Sequence, residues 1–372
     1  MKITAIRFIL CQHELETPIP LSVGALTHRN FGIVEVETDA GLTGIGETSV
    51  NFPPWCIHER RATIEDGLGP MLIGENPLEI GRLWNRMVDG TRGFTRMWAI
   101  GAIRQAISGI DIALWDIAGQ HYGVPVHTLL GGALRTKAEC YAVGFSAADP
   151  AAGARQTLEA GYRAVKIRIG FDDVVDVEKA RATREAVGPD IRLMIDANQA
   201  FKPPRAAAMM DRLADLDLAW LEEPVLNDDR DGYAALRRRR PAMRLAWGEN
   251  AFEPEEVDTF LKGGLVDIVM PDPCRCGGLT EAVNFCRIAH RHGIAFSPHH
   301  YGSDVGFAAC LQLVASQPNF DIMLRDVAPV PLRDEIIDAP IAISEGRATV
   351  PDRPGLGVAL NRAQVERTRV PL

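Results

Sequence analysis

Three short segments, each with an apolar run that leads to an acidic residue, organise the chain: LMIDAN at 193–198, AWLEEP at 219–224 and LAWGEN at 245–250. Their acids are Asp196, Glu222 and Glu249, which are 26 and 27 residues apart. That spacing accommodates one strand, one helix and two loops, so it is typical of successive parallel βα units. Because neighbouring parallel strands lie about 4.8 Å apart, the three carboxylates are expected to crowd at one rim.

Carboxylates this close disfavour joint ionisation unless a cation neutralises them. A hard dication such as Mg²⁺ takes oxygen ligands from a cluster of this kind. The alternative is that each acid is a solvated strand-end residue or a helix N-cap. That alternative suits one isolated acid better than three at nearly equal spacing, so we predict a Mg²⁺ site at Asp196, Glu222 and Glu249.

The strand–helix rhythm extends on both sides of these segments. Strand ends are predicted near Gly144, Arg168, Asp196, Glu222, Glu249, Asp272, His299 and Leu324. Eight regular units predict an α/β fold of the (β/α)8-type, a TIM-like barrel, at residues 126–339, with the site at the carboxyl-end rim. A doubly wound sheet is the competing arrangement. The Gly-rich segment GLTGIGE at 41–47 lacks the phosphate-binding spacing of that fold, so the barrel is preferred.

The chain ends predict a separate α+β capping domain, residues 1–125 completed by 340–372. Residues 1–50 have the pattern of antiparallel strands with a hairpin turn at Asp39–Gly41, and residues 56–123 have a helical pattern. Two segments rich in turn formers, Thr17–Asn30 and Thr48–Trp55, are expected to be loops. The tail beyond Pro340 returns to a strand pattern and is expected to pack on the amino-terminal part.

Composition limits the possible partners and compartment. The formal net charge of −9 argues against nucleic acid or an anionic membrane as a partner. The basic run Arg237–Arg240 precedes Pro241, where cations favour a helix end. The seven cysteines lack the paired spacing of a zinc site and are predicted to be free thiols. No segment has the pattern of a signal peptide or a membrane span, so a cytoplasmic protein is expected.

Polar residues at the other strand ends could act on a ligand held by the metal. Lys166 and Arg168, two apart in AVKIRIG, share one face of their strand. They would serve as functional cations or, for Lys166, as a structural ion-pair partner of the metal-binding acids. Asp272 and His299 end neighbouring strands, the arrangement that fixes a histidine tautomer and raises its basicity. We predict that His299 is a general base, with His300 turned to the other face.

Together these motifs resemble the enolase superfamily, in its mandelate racemase and muconate lactonizing enzyme group. The resemblance covers nearly the whole length, and the segments that carry it are AISGIDIALWDIAGQHYGVPVHTLLGG, VKIRIG, MIDANQ, WLEEP, WGEN, MPDPCRCGG, SPHHYG and VPDRPGLGV. It implies a capped barrel, a bound Mg²⁺ on the three acids and an acid/base role for Asp272 and His299. It also places substrate-selecting loops in the cap, where His28, Arg29 and Trp55 are candidate contacts. Asn198, within MIDANQ, is another candidate.

Two positions depart from the family pattern. The second lysine of the usual KxK pair is Arg168 here, and arginine stays protonated, so it is a poor base and a better electrostatic clamp. On the eighth strand, Leu324 replaces a glutamate that usually donates to the substrate carboxylate. With one credible base, β-elimination is favoured over racemisation, which needs a base on each face of the α-carbon.

The leading hypothesis is therefore a Mg²⁺-dependent lyase or isomerase. It would abstract the proton α to a carboxylate to give a metal-stabilised enediolate, and then eliminate as an acid-sugar dehydratase or a sugar-lactone cycloisomerase. PDPCRCGG is similar to a segment of galactarolactone cycloisomerases. The alternatives are a racemase or epimerase using Lys166 and His299, or a catalytically silent family member. The expected partners are a small carboxylate substrate and further copies of the chain in a homo-oligomer.

Overall fold

The computed structural model describes residues 1–21, 24–53, 55–95, 97, 99–145, 149–240 and 242–372. Within these ranges the chain builds a three-stranded antiparallel sheet covered by helices and a parallel barrel ringed by helices. In the described part of the chain, no helix combines the length and the apolar character needed to span a bilayer. The predicted (β/α)8 barrel with an α+β cap is confirmed.

The cap begins with three antiparallel strands in the order β1-β2-β3: β1 at Ile3–Leu21, β2 at Gly24–Thr38 and β3 at Thr43–Thr48. The predicted turn between β2 and β3 is confirmed, and Gly41 there has a φ of 77°, which favours glycine. The predicted loop at Thr17–Asn30 is wrong for the described residues. β1 continues to Leu21 and β2 begins at Gly24, and the two strands stay paired there, with Ile19 opposite Leu26. Its prolines suggested a loop, but an edge strand such as β1 tolerates proline; residues 22 and 23 lie outside the described ranges.

Helices cover one face of this sheet. They are α1 at Ile57–Ala62, a π-helical segment at Thr63–Leu68, α2 at Gly69–Leu72, α3 at Ile80–Thr95 and α4 at Ile100–Tyr122. α4 lies directly on β3. A side-chain carbon at Gly46 would lie only 2.0 Å from the carbonyl oxygen of Gly109 in α4. Glycine at this position therefore lets the helix backbone contact the strand backbone.

Eight strands form the barrel: β4 at Lys137–Val143, β5 at Ala164–Arg168, β6 at Arg192–Asp196, β7 at Trp220–Glu222, β8 at Leu245–Trp247, β9 at Ile268–Val269, β10 at Ala295–Phe296 and β11 at Met323–Asp326. Neighbours from β4 to β10 pair in parallel, and β11 pairs with β4. A parallel bridge from Phe296 to Phe320 closes the ring next to β11. Side chains such as Met194, Trp220 and Leu324 fill the interior, as in a packed barrel core.

The barrel helices are α5 at Val126–Leu129, α6 at Pro150–Glu159, α7 at Asp173–Val187, α8 at Pro203–Arg212, α9 at Arg230–Arg239, α10 at Pro254–Lys262, α11 at Leu279–Arg291, α12 at Asp304–Ser316 and α13 at Pro331–Glu335. Several begin at a capping acid; Asp172, for example, accepts hydrogen bonds from the backbone of Val174 and Val175. The basic run ends α9, and Arg239 and Arg240 both pair with Asp211. The basic run therefore lies at a helix end, where Asp211 of α8 neutralises part of its charge.

One part of the carboxyl-terminal tail packs on the barrel, and another part packs on the cap. β12 at Ile343–Ser344 and β13 at Arg347–Thr349 form a hairpin whose second strand pairs with the start of β4, so this part extends the barrel sheet. α14 at Arg362–Thr368 lies against the cap instead, where the backbone of Val370 bonds to Leu10 of β1. The division of the chain at residue 125 stays a prediction.

Candidate active site

The three predicted metal-binding acids meet at the carboxyl-end rim of the barrel. Asp196 and Glu222 are the last residues of β6 and β7 and lie opposite each other in the strand register, and Glu249 follows β8. All three are buried, and one oxygen from each lies within 4.8 Å of the others. Three carboxylates that share so small a volume form an oxygen-only donor set suited to a hard dication.

The charges around these acids differ, and so do their pKa values. Burial, followed by repulsion from Asp196, raises the pKa of Glu222 to about 7. Burial also acts to raise the pKa of Glu249, but the neighbouring side chains of His299, Arg275, Lys166 and Arg168 lower it to about 2. Arg275 contacts Glu249 directly at 3.1 Å. The cluster is therefore held by several cationic groups at its edges.

Lys166 contacts two of the three acids in this cluster. Its Nζ is 2.8 and 2.7 Å from the two carboxylate oxygens of Glu222 and 3.1 Å from Asp196 Oδ2. Burial acts to lower the pKa of Lys166, yet the carboxylates of Asp196 and Glu222 raise it well above its ordinary value. These contacts agree with the interpretation of Lys166 as a structural ion-pair partner of the acids.

His299 and Asp272 form a buried pair beside the same cluster. His299 Nδ1 is 2.7 Å from Asp272 Oδ2, and the other oxygen, Oδ1, accepts the backbone N–H of Cys274 at 2.8 Å. An ionised carboxylate can only accept, so His299 carries a proton on Nδ1. Its second nitrogen, Nε2, lies 3.2 Å from Glu249 Oε2. The imidazole therefore points its Nε2 toward the acid cluster, while its Nδ1 contacts Asp272.

Arg168 ends β5 two residues after Lys166 and on the same face. Its guanidinium lies 5.4 Å from the ring centre of Tyr301. Within the described ranges, it makes no hydrogen bond or ion pair, and its Nε is buried without a partner. A half-buried guanidinium whose buried Nε has no partner is suited to bind an anionic group that enters the site.

Comparison with known proteins identifies this arrangement. Residues 149–364 match the family model described as enolase C-terminal domain-like, and residues 4–131 match the mandelate racemase / muconate lactonizing enzyme N-terminal domain. The chain belongs to the enolase superfamily. The resemblance predicted from the sequence motifs is confirmed.

Relatives of this superfamily member act on acid sugars and their lactones. D-Galactarolactone cycloisomerase of Agrobacterium fabrum is 34% identical, with 100% of both chains covered. L-Rhamnonate dehydratase of Saccharopolyspora erythraea is 32% identical over 88% of this chain and 83% of its own. The superfamily member is an enzyme of the lyase or isomerase kind, so the catalytically silent alternative is not supported.

Solved structures agree with the fold. The 3,6-anhydro-D-galactonate cycloisomerase from Zobellia galactanivorans has a TM-score of 0.89 at 30% identity, with 100% of both chains covered. A racemase from Streptomyces coelicolor with bound magnesium has a TM-score of 0.89 at 28% identity, covering 99% of this chain and 100% of that one. Members of the enolase superfamily bind Mg²⁺, and the three acids described above are this enzyme's candidate site for it.

Arg29, predicted as a substrate contact, is already engaged within this enolase superfamily enzyme. It is fully buried, its Nη1 lies 2.6 Å from Asp326 Oδ2, and its guanidinium lies 3.7 Å from the ring centre of Tyr301. Its Nη2 also donates to the Tyr301 carbonyl at 3.2 Å. The geometry fits a positioning residue that joins the cap to β11 better than a free substrate contact, because its charge is neutralised by Asp326.

The other three predicted substrate residues lie in more open positions. His28 is half-buried, with Nδ1 2.9 Å from the Thr27 hydroxyl, and Trp55 is 70% exposed. Asn198 is exposed, and its backbone N–H donates to Asp196 Oδ1 at 2.9 Å, so this segment helps to orient one of the three clustered acids. Their roles toward substrate stay predictions. His300 makes its contact with the Ser303 carbonyl, away from the acids.

Sequence reasoning missed Asp326 of this enzyme. Leu324 occupies the barrel interior, as the departure from the family pattern indicated, but Asp326 is two residues further along β11, at the rim of the barrel. The period of two in a strand could have found it, since residues 324 and 326 share a face. The interaction of Asp326 with Arg29 could not have been predicted, because the two residues are 297 positions apart in sequence.

Proposed function

We propose that this enzyme removes the proton α to the carboxylate of an acid sugar or a sugar lactone and then eliminates the β-substituent. The observation that carries the proposal is the orientation of His299. Its Nδ1 is held by Asp272 while its Nε2 lies 3.2 Å from Glu249, at the edge of the three-acid cluster. A base in this place can reach a carbon atom whose carboxylate is bound at the cluster.

The donor set supports Mg²⁺ as the cofactor. Asp196, Glu222 and Glu249 offer oxygens only, they are buried, and their mutual repulsion needs a balancing charge. A dication held there would stabilise the negative charge that develops on the substrate carboxylate when the substrate's α-carbon loses a proton.

His299 is the proposed base in the first step. With Asp272 accepting the Nδ1 proton, the lone pair of the neutral imidazole is on Nε2, and this nitrogen takes the α-proton. The electron pair of the broken C–H bond becomes the C=C bond, and the C–O bond at the β-carbon breaks. The leaving oxygen departs either as water, after it takes the proton that His299 Nε2 now carries, or as the carboxylate of an opened lactone.

Arg168 is proposed as an electrostatic clamp on the substrate. Arg168 is half-buried, its Nε is buried without a partner, and it makes no hydrogen bond within the described residues, so an anionic group would satisfy its donors. Racemisation would instead need Lys166 as a second base. That is disfavoured because Asp196 and Glu222 hold Lys166 in its charged form, which has no lone pair to accept a proton.

The activities of the relatives support the substrate class. They include a cycloisomerase of D-galactarolactone and dehydratases of L-rhamnonate and D-galactonate. These activities share abstraction of an α-proton followed by loss of a β-oxygen. We therefore propose aldonates, aldarates and their lactones as the substrates to test first.

The decisive experiment is a screen of these compounds with Mg²⁺ in D2O, followed by proton NMR. We expect turnover and solvent deuterium in one compound class, and loss of both in His299→Asn. His292→Asn is the matched control, because His292 is partly exposed and pairs with Asp258 far from the rim. Full exchange by His299→Asn would refute the assignment of the base.

A further inference from the structure

A second cluster of side chains that can bind a metal shares Asp272 with the Asp272–His299 pair. Asp272, Cys274 and His300 each offer one ligand atom, and these atoms lie within 4.8 Å of one another. The three side chains are 2%, 3% and 4% exposed. The cluster differs in chemistry from the three-acid site because it combines a thiol and an imidazole with a single carboxylate.

The imidazole of His300 has the form that binds a metal. Its Nε2 lies 2.9 Å from the Ser303 carbonyl, and since a carbonyl can only accept, Nε2 carries the ring proton. That leaves a lone pair on Nδ1, which has no hydrogen-bond partner among the described residues. A second proton on Nδ1 would be buried and unpaired, so the ring is neutral. Metal-binding histidines have this same arrangement, with the other ring N–H held by a backbone carbonyl.

The surroundings leave room at the cluster. A cavity of about 10 Å³ is lined by Glu47, Asp272, Cys274 and His300, among others, which is the volume for one water molecule or one ion. Gly306 borders the same place: a side-chain carbon there would lie 2.6 Å from Cys274 Sγ and 2.5 Å from His300 Cε1. Gly306 therefore packs directly against Cys274 and His300, and a larger residue there would displace both side chains.

The carboxylate of Asp272 can serve both sites. Its two oxygens already accept one hydrogen bond each, from Cys274 N–H and from His299 Nδ1. Each oxygen has a second lone pair, so a cation can bind without breaking either contact.

We propose that Asp272, Cys274 and His300 form a second, inhibitory cation site that binds a thiolate-preferring dication such as Zn²⁺. Sulfur and imidazole ligands favour Zn²⁺ over Mg²⁺, which prefers oxygen. On binding, the Cys274 thiol releases its proton to solvent and the sulfur donates a lone pair to the metal. The bound cation shares the Asp272 carboxylate that accepts the Nδ1 proton of His299, which weakens the hydrogen bond that orients the proposed base. This inhibition rests on the proposed function; the binding itself does not.

The test is a titration of the Mg²⁺-loaded enzyme with Co²⁺, which gives a near-ultraviolet charge-transfer absorption when a thiolate binds it. We expect this absorption to saturate at one equivalent, to disappear when Zn²⁺ is added, and to be lost in Cys274→Ser. Cys276→Ser is the matched control and should keep it. Cys276 is equally buried, lies two residues away and contacts only the Gly278 carbonyl among the described hydrogen-bonding groups, at 3.8 Å. Co²⁺ at the three-acid site has oxygen ligands only and gives no such absorption.

The outcomes separate the two parts of the proposal. No thiolate absorption in the wild type, or its persistence in Cys274→Ser, would overturn the site. If Cys274→Ser does not fold, His300→Gln decides, with a loss of Co²⁺ affinity of about tenfold or more expected and an unchanged affinity counting against the site. Zn²⁺ should inhibit the wild type and Cys276→Ser but not Cys274→Ser. Binding without inhibition would overturn only the effect on Asp272.

Discussion

The pairing of Asp272 with His299 makes Asp272→Asn an informative substitution. Both carboxylate oxygens of Asp272 accept from N–H donors, one on the Cys274 backbone at 2.8 Å and one on the His299 ring at 2.7 Å. An asparagine has only one oxygen, and the backbone donor cannot change, so the amide NH2 must face the ring. His299 then accepts at Nδ1 and carries its proton on Nε2, the nitrogen that should take the substrate proton.

The expected loss follows from removing the base while keeping its position. General-base catalysis contributes about 10²–10⁴-fold, which corresponds to about 3–5 kcal/mol of transition-state stabilisation at 1.36 kcal/mol per tenfold change. The unfolding free energy should change little, because the amide can still satisfy both neighbours. Reaction rates and α-proton exchange in D2O, measured by NMR on the best substrate of the screen, test this. Asp321→Asn is the control, since Asp321 pairs with Arg192 at the opposite end of the barrel. A rate for Asp272→Asn close to that of the control would refute the tautomer argument.

Three further predictions concern stability. Arg29→Met should lower the unfolding free energy by about 3–5 kcal/mol in urea titrations, because it leaves buried Asp326 without its closest cation. The double variant Arg29→Met with Asp326→Asn removes that unpaired charge and should lose less stability. An equal loss in the single and double variants would contradict this. Gly46→Ala should cost about 1–3 kcal/mol by overpacking, whereas Gly81→Ala in α3, with open space around it, should be neutral or stabilising; equal effects would refute the close approach. Burial raises the pKa of Asp111 from 3.8 to about 7, so the folded state holds a proton that the unfolded state releases, and this contribution to stability falls as pH rises from 3.8 through about 7. Asp111→Asn should flatten that part of the melting-temperature profile, and an unchanged slope would contradict the shift.

The sequence predicted the barrel and the acid cluster because both depend on local periodicity. Asp196, Glu222 and Glu249 each follow a short apolar run, and the regular spacing places successive strand ends side by side. The approach of Asp272 to His299 follows from the same rule applied to the next pair of strands. The geometry of these five residues agrees with that expectation, and their catalytic and metal-binding roles stay proposals.

The cap was harder to predict, since its contacts are long-range. The segment 17–30 has turn-forming residues, yet residues 17–21 and 24–30 belong to β1 and β2, because strand pairing satisfies their backbone. Arg29 was predicted as a substrate contact in a cap loop and is instead a strand residue buried against Asp326 from the last barrel strand. No local pattern encodes a contact between residues 297 positions apart.

The most direct measurement of the central claim is a crystal structure with Mn²⁺ and the substrate found in the screen, using anomalous scattering to locate the metal. We predict one strong peak bounded by oxygens of Asp196, Glu222 and Glu249, with the substrate α-carbon next to His299 Nε2. A metal bound away from these three acids, or an α-carbon on the side opposite His299, would contradict the account.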